Sequence, residues 1–239
     1  MTRDPTARAE SARSPLAPGL GLGLLLGAAA LLLLGAVAAR LGLASAPPRP
    51  AGPWAWVTTR ALGVTALIAL ALDVFLGLAM STQRASRAVA AMVPRGRLLE
   101  LHQVLGRAAL MLTAGHALLL LADPYIGYDA LDVLVPGLSS YRPLAVAAGI
   151  LAAYLALLVH RSFRWRARLG AKGWRRLHAL SFVAFFAALG HGLFAGSDTA
   201  SAGMRALYVA LASITTALLA LRLSEALAPP RRAGASERT

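Results

Sequence analysis

Six apolar runs separated by short polar connectors dominate the chain and predict six spanning helices, at 16–43, 54–80, 98–122, 143–160, 176–195 and 203–227. Each is near or above the roughly 20 residues needed to cross about 30 Å of hydrocarbon. The fourth is the shortest, and the fifth is the most interrupted by glycine. The pattern predicts an all-α fold, a six-helix transmembrane bundle over residues 16–227. A tail at 1–15 precedes it and a tail at 228–239 follows. The basic start and the small residues Ala44-Ser45-Ala46 hint at a signal peptide. The first run is much longer than the roughly 7–15 residues of a signal core, so it is expected as a retained helix.

Basic residues set the expected orientation. Eighteen of the 24 Lys and Arg fall on the side of the N-tail, the second and fourth connectors and the C-terminal end. The fourth connector alone carries Arg161, Arg164, Arg166, Arg168, Lys172, Arg175 and Arg176. Arg40, Arg49, Arg60, Arg142 and Arg205 lie on the other side, and Arg107 lies within a span. By the positive-inside rule both termini are cytoplasmic, and the expected location is the cell membrane. A formal charge of +14 would suit nucleic acid, but charges placed between apolar runs point to a lipid bilayer instead. Cysteine is absent, which excludes disulfides, thiolate metal sites, Cys-ligated iron–sulfur clusters and covalent c-type haem.

Four of the five histidines lie in the third and fifth spans, which cross in the same direction. His102 and His178 fall at the cytoplasmic end, His116 and His191 toward the outer face. Spacings of 14 and 13 residues separate the two levels by roughly 20 Å at about 1.5 Å per residue. Fourteen residues leave His102 and His116 about 40° apart around the helix. Thirteen leave His178 and His191 about 140° apart, so local overwinding or a kink is expected, with Gly190 and Gly192 as its candidates. Ionisable residues within a membrane are functional by default, and neutral imidazole is a good axial ligand. Two b haems are therefore expected, one between His102 and His178 and one between His116 and His191. A packing role, a proton relay or a metal site are the competing readings of the same residues. His160, beside Arg161, reads as interfacial.

Arg107 has two readings. It pairs with Asp73 on the antiparallel second span, or it binds a propionate of the inner haem. Arg60 is a propionate candidate for the outer haem or a snorkelling side chain. Trp174-Arg175-Arg176 reads as an inner propionate anchor or as ordinary interfacial charge. Phe182, Phe185 and Phe186 pack between haem layers or face lipid and neighbouring helices. The outer loop 123–142, with Asp123, Asp129, Asp132, Tyr125, Tyr128 and Tyr141, shapes an acceptor site or is simply solvated.

Leu101-His102-Gln103-Val104-Leu105-Gly106-Arg107 through Gly115-His116-Ala117, with Trp174-Arg175-Arg176-Leu177-His178 through Gly190-His191-Gly192, resembles the ferric reductase-like transmembrane superfamily. That group includes ferric reductases, NADPH oxidases and the haem-bearing membrane subunit of the methionine sulfoxide reductase system. The resemblance covers about residues 54–227. It implies two stacked b haems held by four histidines on the third and fifth spans. Ferric reductases and NADPH oxidases continue into an FAD- and NADPH-binding domain. No G-x-G-x-x-G fingerprint follows a predicted strand here, so FAD or FMN and NAD(P)H are expected only through a separate flavoprotein reductase. The sulfoxide reductase subunit tends to carry arginine where this chain has His102, so the chain is more similar to the four-ligand members.

The expected function is a membrane cytochrome b, a ferric reductase-like oxidoreductase component. It takes electrons from a cytoplasmic flavin or NAD(P)H-dependent donor and delivers them to an outer-face acceptor: ferric iron, dioxygen, a quinone or a partner protein. The alternatives are a non-catalytic electron-transfer anchor subunit and a transporter with a histidine relay.

Overall fold

A computed structural model of the chain describes residues 54–124 and 126–228. The expected first span at 16–43, the N-terminal tail and the residues from 229 onward lie outside the described residues. The fold is all-α. Eight α-helices are described: α1 (Trp54–Ser81), α2 (Gln83–Ala90), α3 (Arg95–Ala122), α4 (Ala130–Leu134), α5 (Pro143–Ser162), α6 (Arg166–His178), α7 (Leu180–Ala195) and α8 (Ala202–Leu227). Short 3₁₀ turns occupy Phe163–Trp165 and Ser197–Ala200.

Four apolar helical segments are long enough to cross a membrane: Trp54–Ser81, Arg95–Ala122, Pro143–Ala195 and Ala202–Leu227. The third is 53 residues long and contains both the fourth and the fifth expected spans. It folds back on itself, because α5 and α7 pack against each other. α1 packs along α3 and also touches α7 and α8. Leu67, Ala71, Val74 and Leu78, spaced one helical turn apart on α1, meet Phe185 and Leu189 of α7 and Tyr208 and Leu211 of α8 in the core. Outside this cluster large apolar side chains face outward, among them Leu144, Met111, Phe194 and Val209. Such a surface suits lipid, where a water-soluble chain would have to hide it.

The connectors are more ordered than the apolar pattern alone predicts. The connector between α1 and α3 contains α2, whose first backbone N–H (Gln83) donates to Glu225 Oε2 on α8 at 2.6 Å. A carboxylate there answers the partial positive charge of a helix N-terminus. In the outer loop, Asp129 and Asp132 form a reciprocal capping box on α4. Tyr128 is buried and its hydroxyl pairs with Ser139. Burial pushes the Tyr128 phenol pKa up, so the phenol keeps its proton across ordinary pH. The basic connector after α5 is also helical and turns at Gly170, whose φ of 66° only glycine adopts readily.

Candidate functional site

α3 is continuous from His102 to His116, so those residues lie about 21 Å apart along one helix. The partner helix is broken. α6 ends at His178, α7 begins at Leu180, and the Phe182 amide donates to the Ala179 carbonyl three residues back. That tightened turn supplies extra rotation between His178 and His191, since a 3₁₀ step turns further per residue than an α step. The overwinding that the 13-residue spacing calls for therefore falls at Ala179, and not at Gly190 and Gly192. Gly192 instead makes room for Tyr208, whose hydroxyl donates to the Gly192 carbonyl at 2.9 Å.

With this geometry the four imidazoles meet in pairs. His102 and His178 have ring centroids 6.1 Å apart with planes inclined at 70°. His116 and His191 are 6.2 Å apart at 76°. A histidine nitrogen sits about 2 Å from a first-row metal and about 1.1 Å from its own ring centre, so two imidazoles on opposite faces of one metal have centroids about 6 Å apart. Both pairs match that span. All four rings line one continuous cavity of about 850 Å³.

One device orients three of the four rings. His116 Nδ1 lies 2.8 Å from the Thr59 carbonyl, His191 Nδ1 lies 2.9 Å from the Ala145 carbonyl and His102 Nδ1 lies 3.1 Å from the Asp73 carbonyl. Four residues after each carbonyl stands a glycine: Gly63, Gly149 and Gly77. A Cβ on Gly149 would sit 2.6 Å from His191 Nδ1, one on Gly63 3.0 Å from His116, and one on Gly77 3.4 Å from His102. The missing side chain lets each ring lie against the neighbouring helix and donate Nδ1–H to its backbone. That fixes the tautomer and leaves the Nε2 lone pair for a ligand in the cavity. His178 is held differently. Its ring stacks on Trp174 at 4.9 Å and 26°, Trp174 carries the Arg166 guanidinium 5.1 Å from its ring centre, and His178 Nδ1 is buried without a hydrogen-bond partner.

Of the two readings of Arg107, the structure does not contain the pairing with Asp73. Asp73 pairs with His102, not with Arg107: its Oδ1 lies 2.7 Å from His102 Nδ1. Arg107 lines the cavity, and among the described residues no hydrogen bond or ion pair engages it. Arg60 also lines the cavity, near its opposite end, where Nε donates to Asp198 Oδ2 at 2.8 Å and Nη2 pairs with Asp198 Oδ1. Arg60 also lies over Trp56. Of the three phenylalanines, Phe185 is wholly buried in the α1–α8 core, Phe186 is partly exposed and Phe182 lines the cavity. His160 is exposed at the end of α5. Sequence reasoning missed the glycine cradles and the role of Asp73. A signal was present, since Gly63 and Gly77 repeat the 14-residue spacing of His102 and His116 on the helix that runs antiparallel to theirs.

Fold and site together define a class: a multi-pass helical membrane protein with two imidazole pairs stacked along parallel helices. The description "Ferric reductase like transmembrane component" matches residues 62–189, more than half of the chain, and the chain belongs to that family. The match takes in His102, His116 and His178 and stops two residues before His191. No curated protein and no solved structure matches. Membership implies a membrane electron-transfer protein, and the family typically binds b haems.

Proposed function

We propose that the chain is a transmembrane cytochrome b holding two b haems, one between His102 and His178 and one between His116 and His191. The observation that carries this reading is the pair of imidazole–imidazole separations, 6.1 and 6.2 Å, each spanning a common cavity. Among the described residues no three His, Cys, Asp or Glu side chains converge on one point. Two imidazoles alone underfill a bare metal ion, whereas a porphyrin supplies the other four ligands.

Haem supplies reversible one-electron chemistry at its iron. The protein supplies the rest. Thr59, Asp73 and Ala145 carbonyls hold three of the ligand rings in one tautomer, and the apolar walls exclude water. Arg107, unengaged and beside the cavity, is the propionate partner of the His102 layer. Arg60 serves the other layer only by sharing its guanidinium with Asp198. The arginine-rich end, with Arg164, Arg166, Arg175 and Arg222, faces the cytoplasm by the positive-inside rule, where it attracts an acidic flavoprotein reductase. His102 and His178 are then the inner pair. With both haems bound, the His116–His191 layer would deliver electrons to an outer acceptor: ferric iron, dioxygen, a quinone or a partner protein.

The test is an optical spectrum and haem-to-protein ratio of the purified chain. Two haems per chain with sharp α bands on reduction are expected, and a colourless protein from haem-replete cells refutes the reading in favour of transport.

A further inference from the structure

We propose that Asp73 sets the direction of electron flow by lowering the reduction potential of the His102–His178 haem relative to the His116–His191 haem. The inference rests on the two-haem reading above. Its basis is an asymmetry between two otherwise similar layers. Three ligand rings donate Nδ1–H to a neutral backbone carbonyl. At His102 alone a carboxylate also touches that nitrogen, at 2.7 Å.

The placement of Asp73 is built into both helices. It projects from the C-terminal third of α1, and its side chain is only 17% exposed. Gly106, one turn after His102 on α3, leaves the space the carboxylate occupies, because a Cβ there would meet Asp73 Oδ2 at 3.3 Å. Asp73 Oδ1 accepts no aligned hydrogen bond, and no arginine pairs with it among the described residues. Its negative charge is therefore spent on the His102 ring. A negative charge against the far nitrogen of a ligating imidazole polarises the ring and makes the ligating nitrogen the stronger electron donor. In a low-dielectric interior a unit charge at this distance is weakly screened. Both effects favour the more positive iron, so the oxidised state of that haem is stabilised. One electron then passes from the His102-layer iron, which is oxidised, to the His116-layer iron, which is reduced. No proton need move.

The experiment is an anaerobic redox titration of the full-length haem-loaded chain in lipid nanodiscs, wild type against Asp73→Asn, with low-spin haem EPR on the same samples. Asparagine keeps the shape and removes the charge. In the wild type two waves are expected. In D73N the lower wave should rise by at least a tenfold change in its equilibrium, about 59 mV for one electron. The upper wave should hold, and one of the two EPR signals should shift. A second variant, His116→Ala, should retain the haem that titrates as the lower wave.

Two unmoved waves in D73N at two haems per chain overturn the proposal while leaving the two-haem reading intact. Equal movement of both waves overturns it too. Loss of a haem from D73N makes Asp73 an anchor and not a tuning residue. Retention of the upper wave in H116A reverses the assignment and also overturns it. A wild-type chain without haem removes the underlying reading itself.

Discussion

Replacing Gly149 with alanine tests how the ligand rings are seated. Alanine is the better helix former by about 1 kcal/mol, so in open space this change in mid-α5 would stabilise the protein. Here the new Cβ would lie 2.6 Å from His191 Nδ1 and 2.7 Å from its Cγ. Ordinary contact begins at about 3.5 Å, so the ring must retreat by about 0.9 Å. Metal–ligand distances tolerate only about 0.2 Å, so a ring displaced that far no longer ligates. The bond from Nδ1 to the Ala145 carbonyl breaks as well, and a buried donor left unpaired costs about 1–3 kcal/mol. At Gly63 the same arithmetic gives a shift of about 0.5 Å, and at Gly77 almost none, because the closest approaches are 3.0 and 3.4 Å. The expected order of damage is therefore G149A, then G63A, then G77A. Pyridine haemochrome absorbance against protein mass gives the ratio. G149A should fall from two haems to one, G63A should bind its haem weakly, and G77A should match wild type. Two haems in G149A with an unchanged α band, or G77A as the most damaged variant, refute the cradle argument.

Replacing His102 or His178 with alanine should remove one haem, and replacing His116 or His191 the other, read as a ratio near one by the same assay. Arg107→Ala should speed haem loss from the His102 layer to an apo-globin acceptor, with Arg107→Lys intermediate; equal rates would exclude a propionate contact. Arg60→Ala should change thermal stability in detergent by no more than about 1 kcal/mol, because the Arg60–Asp198 pair is about one-third exposed. Phe185→Ala should cost about 1–3 kcal/mol by the same melt. That is less than in a soluble core, because lipid replaces water as the reference and mainly the cavity cost remains.

The histidine spacing made the parallel spans and the two layers legible, since the 14-residue interval on α3 stays in phase on an unbroken helix. The 13-residue interval calls for overwinding or a kink but does not say where. The glycines beside His191 are the sequence's candidates, whereas the tightened turn falls at Ala179, a residue with no intrinsic preference for one. An Asp73–Arg107 pairing is one of the two readings of Arg107 that the sequence offers, because opposite charges at similar depth attract. The structure gives the acid to His102 because Gly106 opens the space on that side. Helical connectors such as α2 were hidden because short amphipathic segments leave no long apolar run.

Each ring-supporting helix precedes the helix whose histidine it supports: α1 comes before α3, and α5 before α7. During synthesis the receiving wall is thus already threaded into the lipid when its imidazole emerges from the ribosome. Two half-sites then mature as successive hairpins, and under the two-haem reading a cofactor is captured only once the second hairpin closes on the first.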